Sequence, residues 1–352
     1  MTTQHSSRRR WVRRTLQGLL GLLALTLAAG STYELMGRRR AAIDFPPPGK
    51  LVDIGGRRIQ IDCRGAGSPT VVFENGLDTY GSLGWSLVHD EVAKTTRACA
   101  YSRAGIMWSE PSQGPHGGIS VAEDLHAALG TMGERPPFVL VGHSLGGPYA
   151  MIYTKRYAPE VAGLVFVDAS HPDQRQRIHE FRPPRSRLAK AKAWAALSWT
   201  GLLRVIAATE LREEVARAPD MSRRLTEQVM AAYASTSIHG EVEEMEASDA
   251  TLAEAGTFRQ LGDRPLVVLT SMAPLPDQFL KERKLTREQA TEVKAQWRTL
   301  HDEEASWSSR GQHQLINDAS HYIQFDRPDV VIAAVRTVVA SVRDARSAAP
   351  AP

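Results

Sequence analysis

The segment that most constrains this chain is Gly142-His143-Ser144-Leu145-Gly146, a G-x-S-x-G pentapeptide directly after the apolar run Phe138-Val139-Leu140-Val141. A strand that ends on a serine between two glycines can turn sharply into a helix and hold that serine proud of a sheet. Gly142 and Gly146 matter because a side chain at either place would collide with so tight a turn. The pentapeptide alone is weak; its surroundings strengthen it. A buried-type strand precedes it, and residues 145–157 read as the helix that should follow, ending before Pro159.

Other runs supply the sheet that such a strand needs. Residues 51–63 hold Gly55-Gly56 between two apolar stretches, which predicts a hairpin. Residues 70–73, 97–101, 138–141 and 163–167 read as buried strands, and helical segments at 120–132 and 146–157 separate most of them. Continuous apolar strands alternating with helices predict a parallel sheet covered on both faces, an α/β architecture. From 172 to 262 the pattern changes to amphipathic helical stretches, including 188–208, with no convincing strand. The sheet pattern resumes at Pro265-Leu266-Val267-Val268-Leu269-Thr270. Thr286 with Gln289 then predicts a capping box, and Val293, Trp297 and Leu300 repeat at helical spacing. A short last strand is expected at 314–316, a final helix from 328 to about 342, and a disordered tail over 343–352.

The formal charge of +4 is unevenly placed. Of 43 Lys and Arg and 39 Asp and Glu, residues 1–40 hold eight Arg and one Glu, which leaves the body with 35 basic against 38 acidic side chains. A mildly acidic body removes the main support for nucleic-acid binding. The basic end itself reads as a membrane signal. Residues 1–15 carry five arginines, residues 16–36 are largely apolar, and residues 37–48 open with three more arginines and run to a Pro-rich linker. The fully apolar centre, 18–30, is short for a span and suits a signal peptide, while the three following arginines favour retention as an anchor. Ala28-Ala29-Gly30 is a tolerable cleavage site, and residues 7–12 resemble a twin-arginine export signal. An uncleaved anchor is the leading expectation, a cleaved signal the second, a disordered basic tail the third. More arginines before the apolar run than after it predict a body outside the cytoplasm, periplasmic or extracellular. In such a compartment Cys63 and Cys99 form one disulfide or remain two buried thiols.

A serine hydroxyl is a poor nucleophile at neutral pH and needs a base, an acid that orients the base, and donors for the oxyanion. His321, in Asn317-Asp318-Ala319-Ser320-His321-Tyr322 after the last expected strand, is the base candidate, with His313 a weaker second. No H-E-x-x-H or C-x-x-C is present, so no metal is expected.

Taken with Pro69-Thr70-Val71-Val72-Phe73-Glu74-Asn75-Gly76, Tyr101-Ser102-Arg103-Ala104-Gly105, Val167-Asp168-Ala169-Ser170-His171-Pro172 and Ser320-His321-Tyr322-Ile323-Gln324, the sequence resembles the α/β-hydrolase superfamily. The likeness covers residues 48–342 and is nearest to bacterial membrane-anchored serine hydrolases of the esterase or proline-iminopeptidase-like branch. It implies an α/β-hydrolase domain at 49–342 with a mostly parallel eight-stranded sheet, helices on both faces and a helical cap inserted at 172–262. It also implies the order nucleophile, acid, histidine along the chain. The acid is Asp168, which follows the strand after the nucleophile helix, or else Asp277, the first carboxylate after the penultimate strand, or another residue or a water in its place. The oxyanion donors are the backbone N–H groups of Leu145 and Leu77. In that fold the strands of Cys63 and Cys99 are neighbours and could be bridged.

The same resemblance exposes departures. Relatives commonly have Asp where Ser102 stands and Tyr-Gly at Ile106-Met107; loss of that carboxylate is expected to loosen the loop beside the site. A serine at 144 argues against epoxide hydrolase and haloalkane dehalogenase chemistry, whose relatives use Asp there. His143 is expected to pack or hydrogen-bond behind the turn, and His171 to serve its own loop. Trp194, Trp199, Leu202, Leu203 and Ile206 form an apolar helix surface, read as a cap over the pocket or, with Lys190, Lys192 and Arg204 nearby, as a bilayer contact. The charge run 281–284 reads as a solvated helix end.

The implied activity is hydrolysis of a carboxylic ester with an apolar acyl or alcohol portion, through Ser144, His321 and Asp168, without a cofactor. The expected partners are a small-molecule ester and, through the N-terminal segment, a membrane. Amide or peptide hydrolysis, acyl transfer and perhydrolysis share every motif, and a ligand-binding receptor of the same fold is the alternative from another class. Oligomeric state is left open.

Overall fold

Val, Ile and Phe runs become strands because branched and aromatic side chains fill both faces of a pleated sheet. In the computed structural model the strands are β1 (Lys50–Asp53), β2 (Arg58–Arg64), β3 (Thr70–Glu74), β4 (Ala98–Ser102), β5 (Phe138–His143), β6 (Val161–Val167), β7 (Leu266–Ser271) and β8 (Gly311–Ile316). They form one eight-stranded sheet in the order β1-β2-β4-β3-β5-β6-β7-β8. β2 runs antiparallel to β1 and to β4; every other neighbouring pair is parallel. The structure describes residues 3–114, 116–217 and 221–348. Contacts divide the chain into two units, Met1–Pro46 with Lys192–Ser235, and Pro47–Ala191 with Thr236–Pro352. The whole sheet belongs to the second.

Successive residues on a strand point to opposite faces, so each central strand feeds two cores. Phe73, Val141, Val165 and Leu269 share one core with Val331, Val335, Val338 and Val342 of the helix Pro328–Ala348. Val72, Leu140, Phe166 and Val268 share the other with the helices Gly118–Met132 and Gly146–Arg156. Phe166 is fully buried. Removing such a ring from water contributes about 1.5–3 kcal/mol, and truncating it in a packed core costs about 3–5 kcal/mol.

The expected hairpin is β1–β2, turned at Gly55 and Gly56, both with positive φ, whose N–H groups donate to Asp53 Oδ1 at 2.8 and 2.9 Å. Cys63 and Cys99 are direct partners in the β2–β4 register and form a disulfide. β8 is longer than expected: Gly311, Gln312 and His313 also belong to it. It is an edge strand, half solvated, so its sequence lacks the apolar run of a buried strand. Residues 343–348, expected in the tail, continue the last helix; Arg343 donates to Ser68 O at 2.8 Å and Arg346 to Ser68 Oγ at 3.1 Å, which ties the extra turn down. Residues 349–352 of that expected tail lie outside the described residues.

In the other unit the basic N-terminal segment and the apolar segment form one helix, Thr3–Asp44, that runs through most of the expected linker. Arg38 with Glu34 and Arg40 with Asp44, each four residues apart, support its last turns. The expected helical insertion contains the helices Arg185–Leu197, Leu202–Arg217 and Met221–Ala255.

Candidate active site

β5 ends at His143, and the helix Gly146–Arg156 begins three residues later. Ser144 makes that turn with φ of 51°, a left-handed conformation that costs free energy for a residue with a Cβ. Neighbours hold it there. The Ser144 carbonyl accepts from Gly147 N at 3.0 Å and Ser170 N at 2.8 Å. A Cβ on Gly142 would lie 2.5 Å from Gly146 O, and one on Gly146 would lie 2.4 Å from Glu74 O. The turn therefore closes only with glycine at both places.

Asp168 follows β6 and also has a positive φ, 43°. Its Oδ2 accepts from His321 Nδ1 at 2.7 Å. Its Oδ1 accepts from Ser271 N and from Trp297 Nε1, both at 2.9 Å. Burial opposes the ionised form, but the hydrogen bond and charge of His321, with His301 and Lys294 behind it, outweigh this and hold the carboxyl at about 2. An ionised Asp168 fixes the His321 proton on Nδ1 and leaves the Nε2 lone pair able to accept one. Asp277, by contrast, begins the helix Asp277–Arg283, is 71% exposed in its side chain, and pairs with Arg287 at 3.1 Å.

Ser144, Asp168 and His321 line one cavity of about 500 Å³. Leu77 and Leu145 line it too, and among the described residues neither of their amide N–H groups donates to another protein group. The loop carrying Leu77 lies against the serine: a Cβ on Gly76 would sit 2.9 Å from Ser144 Cβ. His143 packs behind the turn, its Nε2–H donating to the His321 carbonyl at 3.0 Å. Burial, with His321 nearby, pushes its pKa down to about 3, so it is a neutral strut under the His321 main chain. His313 contacts Thr270 Oγ1 and Asp302 Oδ1, each at 2.6 Å, and does not line the cavity. His171 accepts from Asp173 N at 3.0 Å, within its own loop.

Several contributors escaped the sequence reading. The period of Trp297 predicts its place on a helix, but nothing in that period reveals its indole N–H on Asp168. Arg103 is the second. Its Nη1 donates to Glu74 Oε1 at 2.7 Å and Asn75 O at 2.8 Å, and its Nη2 to Gly76 O at 2.5 Å. One buried guanidinium thus holds the two carbonyls that lead into Leu77. Glu244, on the far side of Arg103, comes from the insertion and could not be assigned from sequence. Ser102 is corrected: it does not loosen its loop. Its hydroxyl donates to Gln60 Oε1 at 2.7 Å and accepts from Ser82 N at 3.1 Å, so two neighbours replace the missing carboxylate. From the insertion the cavity takes Gln174, Arg175, Phe181, Pro183 and Arg187; Trp194, Trp199, Leu202, Leu203 and Ile206 belong to the other unit.

Among the described residues, His171, Asp173 and Glu303 stand close enough to hold a metal ion. Both carboxylates are already paired, Asp173 with Arg259 and Glu303 with Arg177 and Arg259, so the group fits an ion-pair cluster better than a metal centre.

Comparison with known proteins agrees with this architecture. An uncharacterized Bacillus subtilis protein, YbdG, is 28% identical over 160 residues, 44% of this chain and 48% of that protein, so the chain spans about half of this relative's length. An esterase from Thermogutta terrifontis superposes with a TM-score of 0.56 at 18% identity, covering 83% of this chain and 97% of its own. The epoxide hydrolase CorEH does so with a TM-score of 0.54 at 16% identity, covering 83% and 98%. These two likenesses show the fold. The sequence profile of the alpha/beta hydrolase family matches residues 62–334, from β2 into the last helix, and on that match the chain belongs to the alpha/beta hydrolase family.

Proposed function

We propose that this protein is a serine hydrolase that cleaves a carboxylic ester through an acyl-enzyme. The observation that carries the reading is the His321 Nδ1–Asp168 Oδ2 hydrogen bond of 2.7 Å, at the wall of the cavity that Ser144 also lines. Ser144 Oγ attacks the ester carbonyl carbon while His321 Nε2 takes its proton. The Leu77 and Leu145 N–H groups hold the resulting oxyanion. The carbonyl–alkoxy bond then breaks and the alcohol leaves with the proton from His321. Water adds to the acyl-enzyme by the same route in reverse, giving the carboxylic acid and free Ser144. Phe181, Leu275 and Phe279 give the cavity an apolar wall for the substrate's carbon skeleton.

Serine sets this reading apart from epoxide opening. A carboxylate that opens an epoxide forms an ester, which water can cleave; a serine would form an ether, which it cannot. A fluorophosphonate probe is expected to label Ser144, and Ser144→Ala to lose both labelling and hydrolysis of p-nitrophenyl esters. A folded protein that takes no label and turns over neither p-nitrophenyl esters nor p-nitroanilides overturns the proposal and favours a receptor.

The second part of the proposal is a membrane anchor in the helix Thr3–Asp44, whose most apolar stretch has a mean hydropathy of 1.4 and is only 6% buried. In the unit that contains it, the turn Ser198–Thr200 packs on this helix: a Cβ on Gly30 would lie 2.2 Å from Thr200 O. Gly30 is six residues inside the end of the apolar run at Met36, about 9 Å along a helix axis. The side chains of Leu197, Trp199, Leu202 and Val205 are 41–49% exposed around that turn. They face the same bilayer as the anchor, and the body stands outside the cytoplasm.

A further inference from the structure

The cavity that holds Ser144 is lined by four cationic side chains, Arg175, Arg187, Arg283 and Lys294, and by two carboxylates, Asp168 and Asp78. Asp168 is committed to His321, Ser271 and Trp297. Burial raises the Asp78 carboxyl to about 7, so at neutral pH it offsets only part of one charge. Lys294 already serves Asp168, so the excess of positive charge that Ser144, His321 and Asp168 do not use lies with Arg175, Arg187 and Arg283.

The partners of these cations leave their charge in place. Arg283 donates to the main-chain carbonyl of Arg182 at 2.6 Å and lies over the Phe279 ring at 5.5 Å. Lys294 donates to Ser271 O at 2.8 Å and Ser271 Oγ at 3.1 Å. Both have neutral acceptors. Arg175 pairs with Asp249, whose side chain is 84% exposed and so well screened, and the Arg175 Nε is buried with no hydrogen-bond partner among the described residues. Arg187 has no carboxylate within ion-pair distance among the described residues; Glu241 acts on it only from farther away. A neutral ester would leave all of this unanswered. Cations of one sign in a walled cavity concentrate the field on its contents, and guanidinium groups match a carboxylate with paired N–H donors.

We infer that the preferred substrate is an ester that carries a separate carboxylate, a half-ester of a dicarboxylic acid being the simplest case, with the carboxylate received by Arg175, Arg187 and Arg283 and the ester presented to Ser144. This deepens the esterase reading and rests on it. The carbon skeleton between the two groups lies along Phe181 and Leu275, which keeps the anion away from Asp168.

The test compares two p-nitrophenyl esters of equal acyl length on the full chain, the hydrogen glutarate and the valerate. The glutarate is expected to be cleaved with a kcat/KM at least about ten-fold higher, the size of one hydrogen-bonded charge contact, and the advantage is expected to shrink as salt is raised. Arg187→Gln and Arg283→Gln should each lower the ratio between the two esters. Because both rates come from one preparation, loss of folded protein cancels. Equal or faster cleavage of the neutral ester overturns the inference while leaving the esterase reading intact. If neither ester is cleaved, the esterase reading fails separately, and the anion site is judged by titrating Ser144→Ala protein with monomethyl glutarate and methyl valerate. Binding of the charged compound alone sustains the site; binding of neither, or of both equally, overturns it.

Discussion

Arg103 and Glu244, 141 residues apart in the chain, meet in a two-pronged ion pair with Nε–Oε1 at 2.7 Å and Nη2–Oε2 at 2.8 Å. The pair is almost fully buried and shares its guanidinium with Glu74 and with the carbonyls of Asn75 and Gly76. Removing the cation would strand two carboxylates out of water. Arg103→Ala is therefore expected to destabilise the protein by about 3–5 kcal/mol, measured by urea unfolding. Glu244→Gln keeps shape and one acceptor, so its stability loss should be smaller. Its expected signature is a fall in kcat with little change in KM, because the loop that presents the Leu77 amide loses its rigid backing.

Asp168 and Asp277 separate cleanly. Asp168→Asn keeps the side chain's shape but offers His321 the wrong hydrogen-bond partner, and kcat on a p-nitrophenyl ester should fall by about 10⁴-fold. Asp277→Asn should leave kcat unchanged, since Asp277 is solvated and paired with Arg287. Trp297→Phe retains the ring and deletes one donor to Asp168. A fall in kcat of roughly ten-fold is expected, the equivalent of one hydrogen bond to a charged group.

The sheet was legible because its strands are buried on both faces, which writes them as apolar runs, and because Ser144 stands between two glycines that the turn cannot replace. β8 was legible only in part, since an edge strand with Gln312, His313 and Gln314 does not need such a run. Ser144, His321 and Asp168 could be proposed because each lies on the turn or loop that follows a strand, in a recognisable motif. Trp297, Arg103 and Glu244 act through contacts between distant segments, and no local period or spacing encodes which side chain an indole N–H or a carboxylate will meet. Ser102 misled for the same reason: the substitutes for the lost carboxylate, Gln60 and Ser82, are remote in sequence.

Asp78 yields a pH prediction. Its folded carboxyl titrates at about 7 against 3.8 in an unfolded chain, so the folded state holds the proton more tightly. Stability from this group is complete below the unfolded value and is lost as pH rises through the folded one. Asp78→Asn should therefore be more stable than the native chain at about pH 8, by roughly 1–2 kcal/mol once water in the cavity is allowed for, with the gap closing towards about pH 4. Urea midpoints at several pH values would measure it. The opposite trend would mean that Asp78 is ionised and paired in the folded state.

The apolar turn beside the anchor can be placed by depth. Trp199 sits next to Thr200, whose carbonyl approaches Gly30 within the apolar run of the N-terminal helix. If that helix spans a bilayer, the indole lies below the headgroups rather than in water. In proteoliposomes, the emission lost on Trp199→Phe should be quenched by lipids brominated along the acyl chain. Bulk solution quenchers should reach the same emission poorly. Emission that iodide quenches and bromolipids do not would place the turn in water and remove it from the membrane face, while flotation of the same vesicles reports separately on the anchor.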